Sequence, residues 1–271
     1  MIIAAGDSFI YGNELEDCPT GTSPSKLTWP CLLAKSANME CLNVAVAGAG
    51  NESIARNTIN ACETTTGKQR AVIVQWTFPN RYEFYFDFPT GQRSPWYTIG
   101  AWHVADVNEI QKEFHSDNPE ILQQQRDHIN RAKQSGVTEF ATEYFKKVGS
   151  TEYWEMYNTL KHIIYLQNYL RVNQIPYLFT CADGIIFHND RIFLSQDINI
   201  QSLCNQLQLD TLYRFPSGQH EWETIGPRGF YQWAVENKYP MGTTHPLEEA
   251  HQDAAKLIKE KFNEMVKKLV Q

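Results

Sequence analysis

The sequence predicts an α/β fold in which a parallel sheet lies between two layers of helices. Three observations lead to this prediction. Short, almost continuously apolar segments recur along the chain, most clearly at residues 1–5 and 71–74. Segments with apolar residues at helical spacing lie between them. Strands that are apolar on both faces are typical of parallel sheets covered by helices on both sides.

The first half of the chain supplies alternating strands and helices. They are predicted in the order strand 1–5, helix 29–37, strand 40–46, helix 53–62 and strand 70–76. Thr28 is a suitable N-cap for the first of these helices, and Pro30 suits its first turn. A glycine-rich turn, Gly48-Ala49-Gly50, joins the second strand to the second helix.

The second half of the chain is less regular. Residues 77–150 are predicted to form a long insertion within a single domain of residues 1–271, with helical patches at 119–134 and 137–148. A strong helix is predicted at 152–173, a fourth strand at 176–181 and a final helix at 247–270.

Composition narrows the function classes. The net charge is −7, and the chain has no basic patch, so a nucleic-acid partner is not expected. No apolar stretch is long enough to span a membrane, and the N-terminal residues lack the pattern of a signal peptide. A cytoplasmic or otherwise non-exported protein is therefore expected. The six cysteines show no zinc-ligand spacing, and Cys31, Cys41 and Cys181 are interpreted as small core residues. Their even number also permits disulfides, although the pattern does not require them.

The tripeptide Gly6-Asp7-Ser8 directly follows the first predicted strand. Ligands of open parallel sheets bind at the carboxyl ends of the strands, so a serine there is a candidate nucleophile. Its own backbone N–H can also donate to an oxyanion. Asp7 can hold the turn by bonding to neighbouring loops. The tripeptide alone is a weak signal, and its position after the strand gives it weight.

A histidine near the other end of the chain is the candidate base. His245 precedes Pro246 and the final helix, which together hold it in place. As a neutral imidazole it can take a proton from a serine hydroxyl. The alternative is a histidine that only caps the helix.

Together these segments resemble the SGNH hydrolases, also called the GDSL esterase/lipase family. The matching segments are Gly6-Asp7-Ser8-Phe9, the run from Asn43 to Gly48, residues 76–81, and His245-Pro246 followed by Leu-Glu-Glu-Ala-His. They occur in the family's order across almost the whole chain. The amino acids of the first and last segments are similar to those of family members found in bacteriophage genomes.

The resemblance implies a flavodoxin-like three-layer α/β/α sandwich with a five-stranded parallel sheet, and a site that needs no metal or other cofactor. Ser8 would be the nucleophile and first oxyanion donor, and His245 the base. Gly48 would be the second donor, with Gly50 able to share its role. Asn80 is the nearest candidate for the third donor, although the family's usual Gly-x-Asn-Asp is absent here. Thr77 is the alternative to Asn80.

The largest departure from the family lies before the histidine. The family has an aspartate three residues before it, whereas this chain has Gly242, and no carboxylate lies between Glu236 and His245. Three explanations are open. In the favoured interpretation a backbone carbonyl accepts the Nδ1 proton and leaves a Ser–His dyad. In the second, Asp183, which follows the fourth strand, takes the place of the aspartate. In the third, the site has lost catalysis.

Aromatic and basic residues after the third strand bear on the substrate. Their rings can stack on a sugar or hold an acyl chain, or else form the insertion's own small core or an oligomer contact. The aromatic residues are Tyr82, Phe84, Tyr85, Phe86, Phe88, Trp96, Tyr97 and Trp102. Basic candidates for an acidic or polar substrate are Arg81, Arg93, His103, Arg214, His220 and Arg228.

The function expected from the sequence is hydrolysis of a short-chain acyl ester by an acyl-enzyme mechanism. Acetyl groups on carbohydrate are one candidate substrate, and lipid esters and thioesters are the alternatives. The rival hypothesis is a non-catalytic binding protein or virion component that keeps the fold. Under either hypothesis the protein is expected to be cytoplasmic or virion-associated.

Overall fold

A four-stranded parallel sheet lies at the centre of the computed structural model, which describes residues 1–19, 21–87, 96–104, 119–184, 197–216 and 228–269. In chain order the strands are β1 (Ile2–Ala5), β2 (Cys41–Asn43), β3 (Ala71–Trp76), β4 (Tyr82–Tyr85), β5 (Trp96–Ile99) and β6 (Tyr177–Cys181). The central sheet has the order β2–β1–β3–β6, so β1 lies between two neighbours.

Helices cover both faces of this sheet. They are α1 (Ser8–Tyr11), α2 (Trp29–Ser36), α3 (Asn51–Thr64), α4 (Pro119–Gln134), α5 (Val137–Tyr144), α6 (Glu152–Val172), α7 (Ile198–Cys204), α8 (Phe230–Glu236) and α9 (Glu248–Lys267). Within the part of the chain that the structure describes, none of them is both long and apolar enough to cross a bilayer.

Alternate residues of the strands face opposite layers. Ile2, Ala4 and Ile73 pack with residues of α2, α8 and α9. Ile3 and Val74 pack on the other side with residues of α3 and α6. All four residues of β1 and all six of β3 are buried, as a sheet covered on both faces requires. The predicted three-layer α/β arrangement is confirmed.

The sheet has four strands among the described residues, where the sequence predicted five. A single parallel bridge between Phe179 and Leu212 extends it beyond β6, and Tyr213 N donates to Phe179 O at 2.7 Å. The chain reaches this edge from a 3₁₀ turn at Leu209–Thr211, so only one residue aligns with β6 before the described segment turns away. The strands and helices for which the sequence predicted bounds lie within a few residues of them, whereas β4, β5, α7 and α8 were not predicted.

The segment between β3 and α6 has a small apolar cluster of its own. Strands β4 and β5 form an antiparallel pair, and helices α4 and α5 lie near the predicted 119–134 and 137–148. Tyr82 and Ile99 from the hairpin pack with Val137, Ala141 and Phe145. Much of the aromatic character of this segment is therefore used for internal packing.

Two of the cysteines interpreted as small core residues are joined. Cys31 in α2 and Cys41 in β2 form a disulfide with a Cα–Cα distance of 5.3 Å. The sequence permitted a disulfide without indicating this pair, which the packing of α2 beside an outer strand brings together. Cys181 is a free, buried thiol, and burial raises its pKa.

The start of α2 is capped from the other end of the chain. Thr28 occupies the N-cap position, but its side chain makes no capping hydrogen bond. Trp29 N instead donates to Nδ1 of His251 in α9 at 3.2 Å. Burial, and to a smaller degree the charge of nearby His245, lowers the pKa of His251 to about 3. His251 is therefore a neutral acceptor that joins α9 to α2.

We expect His251 to make the fold acid-sensitive. In the unfolded chain its pKa lies near 6.5, so between pH 6.5 and 3 the unfolded state gains a proton that the folded state excludes. Stability is complete above this window and falls with pH within it, by up to about 1.4 kcal/mol per pH unit. Urea unfolding at pH 7, 5.5 and 4.5 should show a shallower decline for His251→Asn, which keeps an acceptor but does not titrate. Equal slopes in the two proteins would contradict this assignment.

Candidate active site

Ser8 lies at the carboxyl edge of the sheet, at the start of the single-turn helix α1. Asp7 caps this turn by accepting a hydrogen bond from Phe9 N at 3.1 Å. Gly6 allows the sharp passage from β1, because a Cβ there would lie 2.6 Å from Cγ1 of Ile10. Ser8 is 8% exposed, so its hydroxyl lies at the base of a recess rather than on an open surface.

Two backbone amides near Ser8 are available as donors. Among the described residues, neither Ser8 N nor Gly48 N has a hydrogen-bond acceptor. Val46 N donates to Gly6 O at 3.2 Å, which fastens the loop after β2 beside the loop after β1. Gly48 has a φ of +76°, a conformation that favours glycine, and a Cβ added to it would meet no atom within 4 Å. The side of Gly48 on which a side chain would stand is therefore open.

His245 lies in a tight loop just before α9. Gly242 N donates to His245 O at 2.8 Å, and an antiparallel bridge joins Met241 and Pro246. The imidazole packs edge-on against Phe9, with ring centroids 5.1 Å apart. Phe9, the residue next to Ser8, is thus in ring contact with His245, although Phe9 and His245 are 236 positions apart in a chain of 271.

A carboxylate that sequence reasoning missed lies against this histidine. Glu14 Oε2 is 2.8 Å from Nδ1 of His245. The same carboxylate accepts hydrogen bonds from the backbone N–H groups of Thr243, Thr244 and His245, at 2.9 to 3.1 Å. Burial alone would raise the pKa of Glu14, but the bonds from His245 and Thr244 outweigh it and bring the pKa to about 2. Glu14 is therefore ionised at neutral pH.

Nothing in the order of the sequence marked Glu14 as a partner of His245. The two residues are separated by 231 positions. The only indirect signal was Gly242, which stands where an aspartate was expected and thus pointed to a carboxylate from elsewhere. Asp183, the acid suggested from the sequence, instead accepts a hydrogen bond from Nε2 of Gln232 in α8 at 2.8 Å.

Asp7 anchors a buried polar network behind Ser8. Its Oδ2 accepts hydrogen bonds from Thr77 Oγ1 at 2.6 Å and from Arg81 at 3.0 Å. The same Arg81 nitrogen donates to Thr77 Oγ1 at 2.9 Å. Asp7 is fully buried and the Arg81 side chain is 14% exposed. The network joins the loop after β1 to the loop after β3 and fixes the backbone on which Ser8 lies.

The two candidates for the third oxyanion donor have different surroundings. The Thr77 hydroxyl donates a hydrogen bond to Oδ2 of Asp7, and Thr77 N donates to Oδ1 of Asn51 at 2.9 Å. Thr77 thus supports the loop from a buried position. Asn80 is half-buried in the turn that follows, and its side chain makes no hydrogen bond within the described residues.

Aromatic rings surround this edge of the sheet. Phe9, Phe78 and Tyr231 are in mutual contact, with ring centroids 5.6 to 6.4 Å apart. The Arg81 guanidinium lies 4.9 Å from the centroid of Phe78 and 5.2 Å from that of Trp102. Of the other aromatic and basic candidates, Phe88, Arg93 and His220 lie outside the described residues. In the part of the chain that is described, no three metal-ligating side chains come together.

Comparison with known proteins gives distant structural likenesses only. No protein-family model matches this chain, and no curated protein sequence matches it. A member of the lipolytic G-D-S-L family from Veillonella parvula is 14% identical, with 97% of each chain covered and a TM-score of 0.43. A psychrotrophic esterase from Pseudoalteromonas sp. is 12% identical, with 99% of this chain and 97% of that chain covered and a TM-score of 0.41.

A third solved structure is an acetyl xylan esterase from the rumen bacterium Butyrivibrio proteoclasticus. It is 13% identical, with a TM-score of 0.45, and the match covers 98% of this chain and 64% of that one. The residue roles proposed below rest on the geometry of this chain.

We expect Asp7 and Arg81 to be energetically coupled. Asp7→Asn leaves a mostly buried guanidinium without its counter-charge, which should cost about 3 kcal/mol of unfolding free energy. In an Asp7→Asn/Arg81→Met double variant the uncompensated charge is gone. The loss of unfolding free energy in the double variant should therefore be smaller than the sum of the losses in the two single variants. Urea unfolding of the four proteins measures this coupling. Additive costs would show that the ion pair contributes nothing.

Proposed function

We propose that this chain is a serine esterase of the SGNH hydrolase kind, with Ser8 as nucleophile and His245 as base. One observation carries the proposal. His245, from the far end of the chain, packs against Phe9 beside Ser8 at the carboxyl edge of β1. A serine, an imidazole and two unpaired amides at one sheet edge are the components that acyl transfer requires.

The proposed reaction has two stages. Ser8 Oγ attacks the ester carbonyl while Nε2 of His245 takes its proton, and His245 then returns that proton to the leaving alkoxide. The resulting acyl-Ser8 is attacked by a water that His245 activates in the same way, which releases the acid and restores the serine. The amides of Ser8 and Gly48 stabilise the oxyanion in both stages, with the Asn80 side chain as the proposed third donor.

His245 contacts Phe9, the residue next to Ser8, and no hydrogen bond joins Ser8 and His245 among the described residues. Catalytic hydrogen bonds are often long in a substrate-free site and tighten when substrate binds. Rotation of the Ser8 side chain about its Cα–Cβ bond changes the direction of Oγ without moving the backbone, which the Asp7 network holds.

The surroundings favour a small acyl group. Phe9, Phe78 and Tyr231 form a compact aromatic wall next to His245, which suits a short acyl chain and the flat face of a sugar ring. We therefore propose acetyl esters of carbohydrates as the first substrates to examine. No metal or other cofactor has a part in the proposed reaction.

The second candidate function is a binding or virion structural protein that retains this fold. The absence of an aspartate before His245 was the reason for considering it. The Glu14 carboxylate at 2.8 Å from Nδ1 supplies an acid at that position, and this favours catalysis over binding alone. Under either function we propose that the protein is cytoplasmic or virion-associated.

We expect both Ser8→Ala and His245→Ala to abolish hydrolysis of p-nitrophenyl acetate, because the first removes the nucleophile and the second removes the base that activates it. The loss should be at least about 10³-fold in kcat/KM from pH 5 to 9. A fluorophosphonate probe should label the wild type at Ser8 and fail to label Ser8→Ala. Equal turnover by wild type and both variants, with no labelling, would instead identify the aromatic wall as a binding surface.

Gly48→Val should lower kcat while leaving the fold in place. The valine side chain would enter the open space beside the amide and crowd the oxyanion, so a loss of roughly 10²-fold is expected. Gly67→Val is the matched control, since Gly67 also has a positive φ, +87°, and no atom within 4 Å of an added Cβ. The two variants share the backbone strain, so full activity in Gly48→Val would remove Gly48 from the oxyanion hole.

A further inference from the structure

We propose that Glu14 is the acid of a Ser8–His245–Glu14 triad, supplied by the loop after α1 rather than by the histidine's own loop. This inference rests on the proposed esterase function and deepens it. Glu14 is a positioning residue, since it acts through His245 and not on the substrate. It replaces both the backbone-carbonyl dyad and Asp183 as the explanation for the missing aspartate.

The first argument is the proton that the contact requires. An ionised carboxylate only accepts hydrogen bonds, so its 2.8 Å contact with Nδ1 places a proton on that nitrogen. Thr244 Oγ1 lies 2.9 Å from the same nitrogen and can accept from it or point its own proton elsewhere. With the proton on Nδ1, the lone pair of the neutral ring is on Nε2. This is the tautomer that can take the proton of Ser8.

The second argument is the space at Gly242. A Cβ at this position would lie 2.8 Å from Oε2 of Glu14 and 2.9 Å from its Cδ, so a side chain there would require the Glu14 carboxylate to move. Glu14 therefore fills the volume that a residue three positions before His245 would need. The carboxylate beside His245 therefore comes from the loop after α1, and Gly242 leaves the space that the Glu14 side chain occupies.

The third argument is that Glu14 is held firmly. Oε2 accepts from the amides of Thr244 and His245 as well as from Nδ1, and Oε1 accepts from the amide of Thr243. Its backbone has a φ of +69°, which is uncommon for a residue other than glycine and indicates that the surroundings impose the conformation. Glu16 N also donates to Glu248 Oε1 at 2.6 Å, which fastens the same loop to α9.

The charges around His245 leave Glu14 as the partner of a protonated ring. The Asp7 carboxylate is already paired with Arg81. His251, in the helix behind, has its pKa lowered to about 3 by burial and is neutral at the pH of the assay. An imidazolium that forms during catalysis would thus be stabilised chiefly by Glu14.

Two substitutions separate orientation from charge. Glu14→Gln can keep an oxygen at the Oε2 position, where it still accepts from Nδ1, but it loses the negative charge and places an amide NH₂ at the Oε1 position, which accepts from Thr243 N in the wild type. We expect kcat/KM to fall roughly 10- to 100-fold, because a neutral amide stabilises the imidazolium less than a carboxylate does. Glu14→Ala removes the acceptor too, and kcat should fall by about 10³- to 10⁴-fold. KM should change little in both.

Glu16→Gln is the matched control. It removes the same charge two residues away, from an exposed side chain of the same loop, and should keep wild-type kinetics. Thr244→Val removes the other group beside Nδ1 and should cost far less than Glu14→Ala. The proposal is overturned if Glu14→Ala keeps more than a tenth of wild-type kcat, or if Thr244→Val costs as much.

A readout without turnover separates this proposal from the proposed function. Nitrogen-15 chemical shifts of His245 at pH 8 should show the Nδ1–H form in the wild type and a mixture of both tautomers in Glu14→Ala. If the wild type neither hydrolyses esters nor labels with the probe, esterase function fails, yet this shift still tests the role of Glu14. An unchanged tautomer in Glu14→Ala would overturn the proposal even in an active enzyme.

The exchange of carboxylates offers a second, stricter test. Gly242→Asp alone should be destabilised and poorly active, because its side chain collides with Glu14. In Glu14→Ala/Gly242→Asp the space is free and an acid stands three residues before the histidine. We expect this double variant to recover at least tenfold in kcat over Glu14→Ala. Recovery supports the shared carboxylate site, and a double variant no better than Glu14→Ala counts against it.

Discussion

The position of β1 between β2 and β3 is the constraint on which the site depends. The strand is only four residues long, but it is buried on both faces and paired along both edges. The chain must leave it at Gly6, where there is no room for a side chain. Ser8 then starts a turn whose direction is fixed by Asp7. Because the neighbouring strands are parallel to β1, the loops that follow them arrive at the same edge.

The hydrogen bonds at this edge convert proximity into a defined geometry. Val46 N donates to Gly6 O, and this hydrogen bond holds the loop that contains Gly48 beside the loop that contains Ser8. Asp7 reaches the third loop through Thr77 and Arg81. A fully buried carboxylate is costly unless it is paired and hydrogen-bonded, and here it has both kinds of partner. Displacing any one of the three loops would leave one of these groups unsatisfied.

The two ends of the chain are closed onto each other beside the site. Glu14 holds the loop of residues 243–245, and Trp29 N bonds to His251. These contacts make the region after α1 and the start of α9 a single unit, although more than 200 residues separate them. The catalytic histidine proposed here is therefore positioned from the N-terminal part of the chain. The residues between Arg81 and α6 contribute less than residues 77–81, since many of their aromatic rings pack with one another, although Trp102 lies over Arg81.

The sequence by itself determined most of the central sheet and supplied candidates for the site. Apolar periodicity located β1, β2, β3 and β6 and the long covering helices α3, α6 and α9, because burial on two faces leaves a local pattern, but it did not locate α8. Ser8, Gly48 and His245 could also be named as candidates from the sequence, since each follows or precedes an element that the apolar pattern defines. Tertiary structure alone decided the partner of His245, the pairing of Cys31 with Cys41 and the cap of α2. Each of these contacts joins residues that only the packing of the fold brings together. Neither the residue type nor the sequence position of Glu14 or His251 indicates its partner.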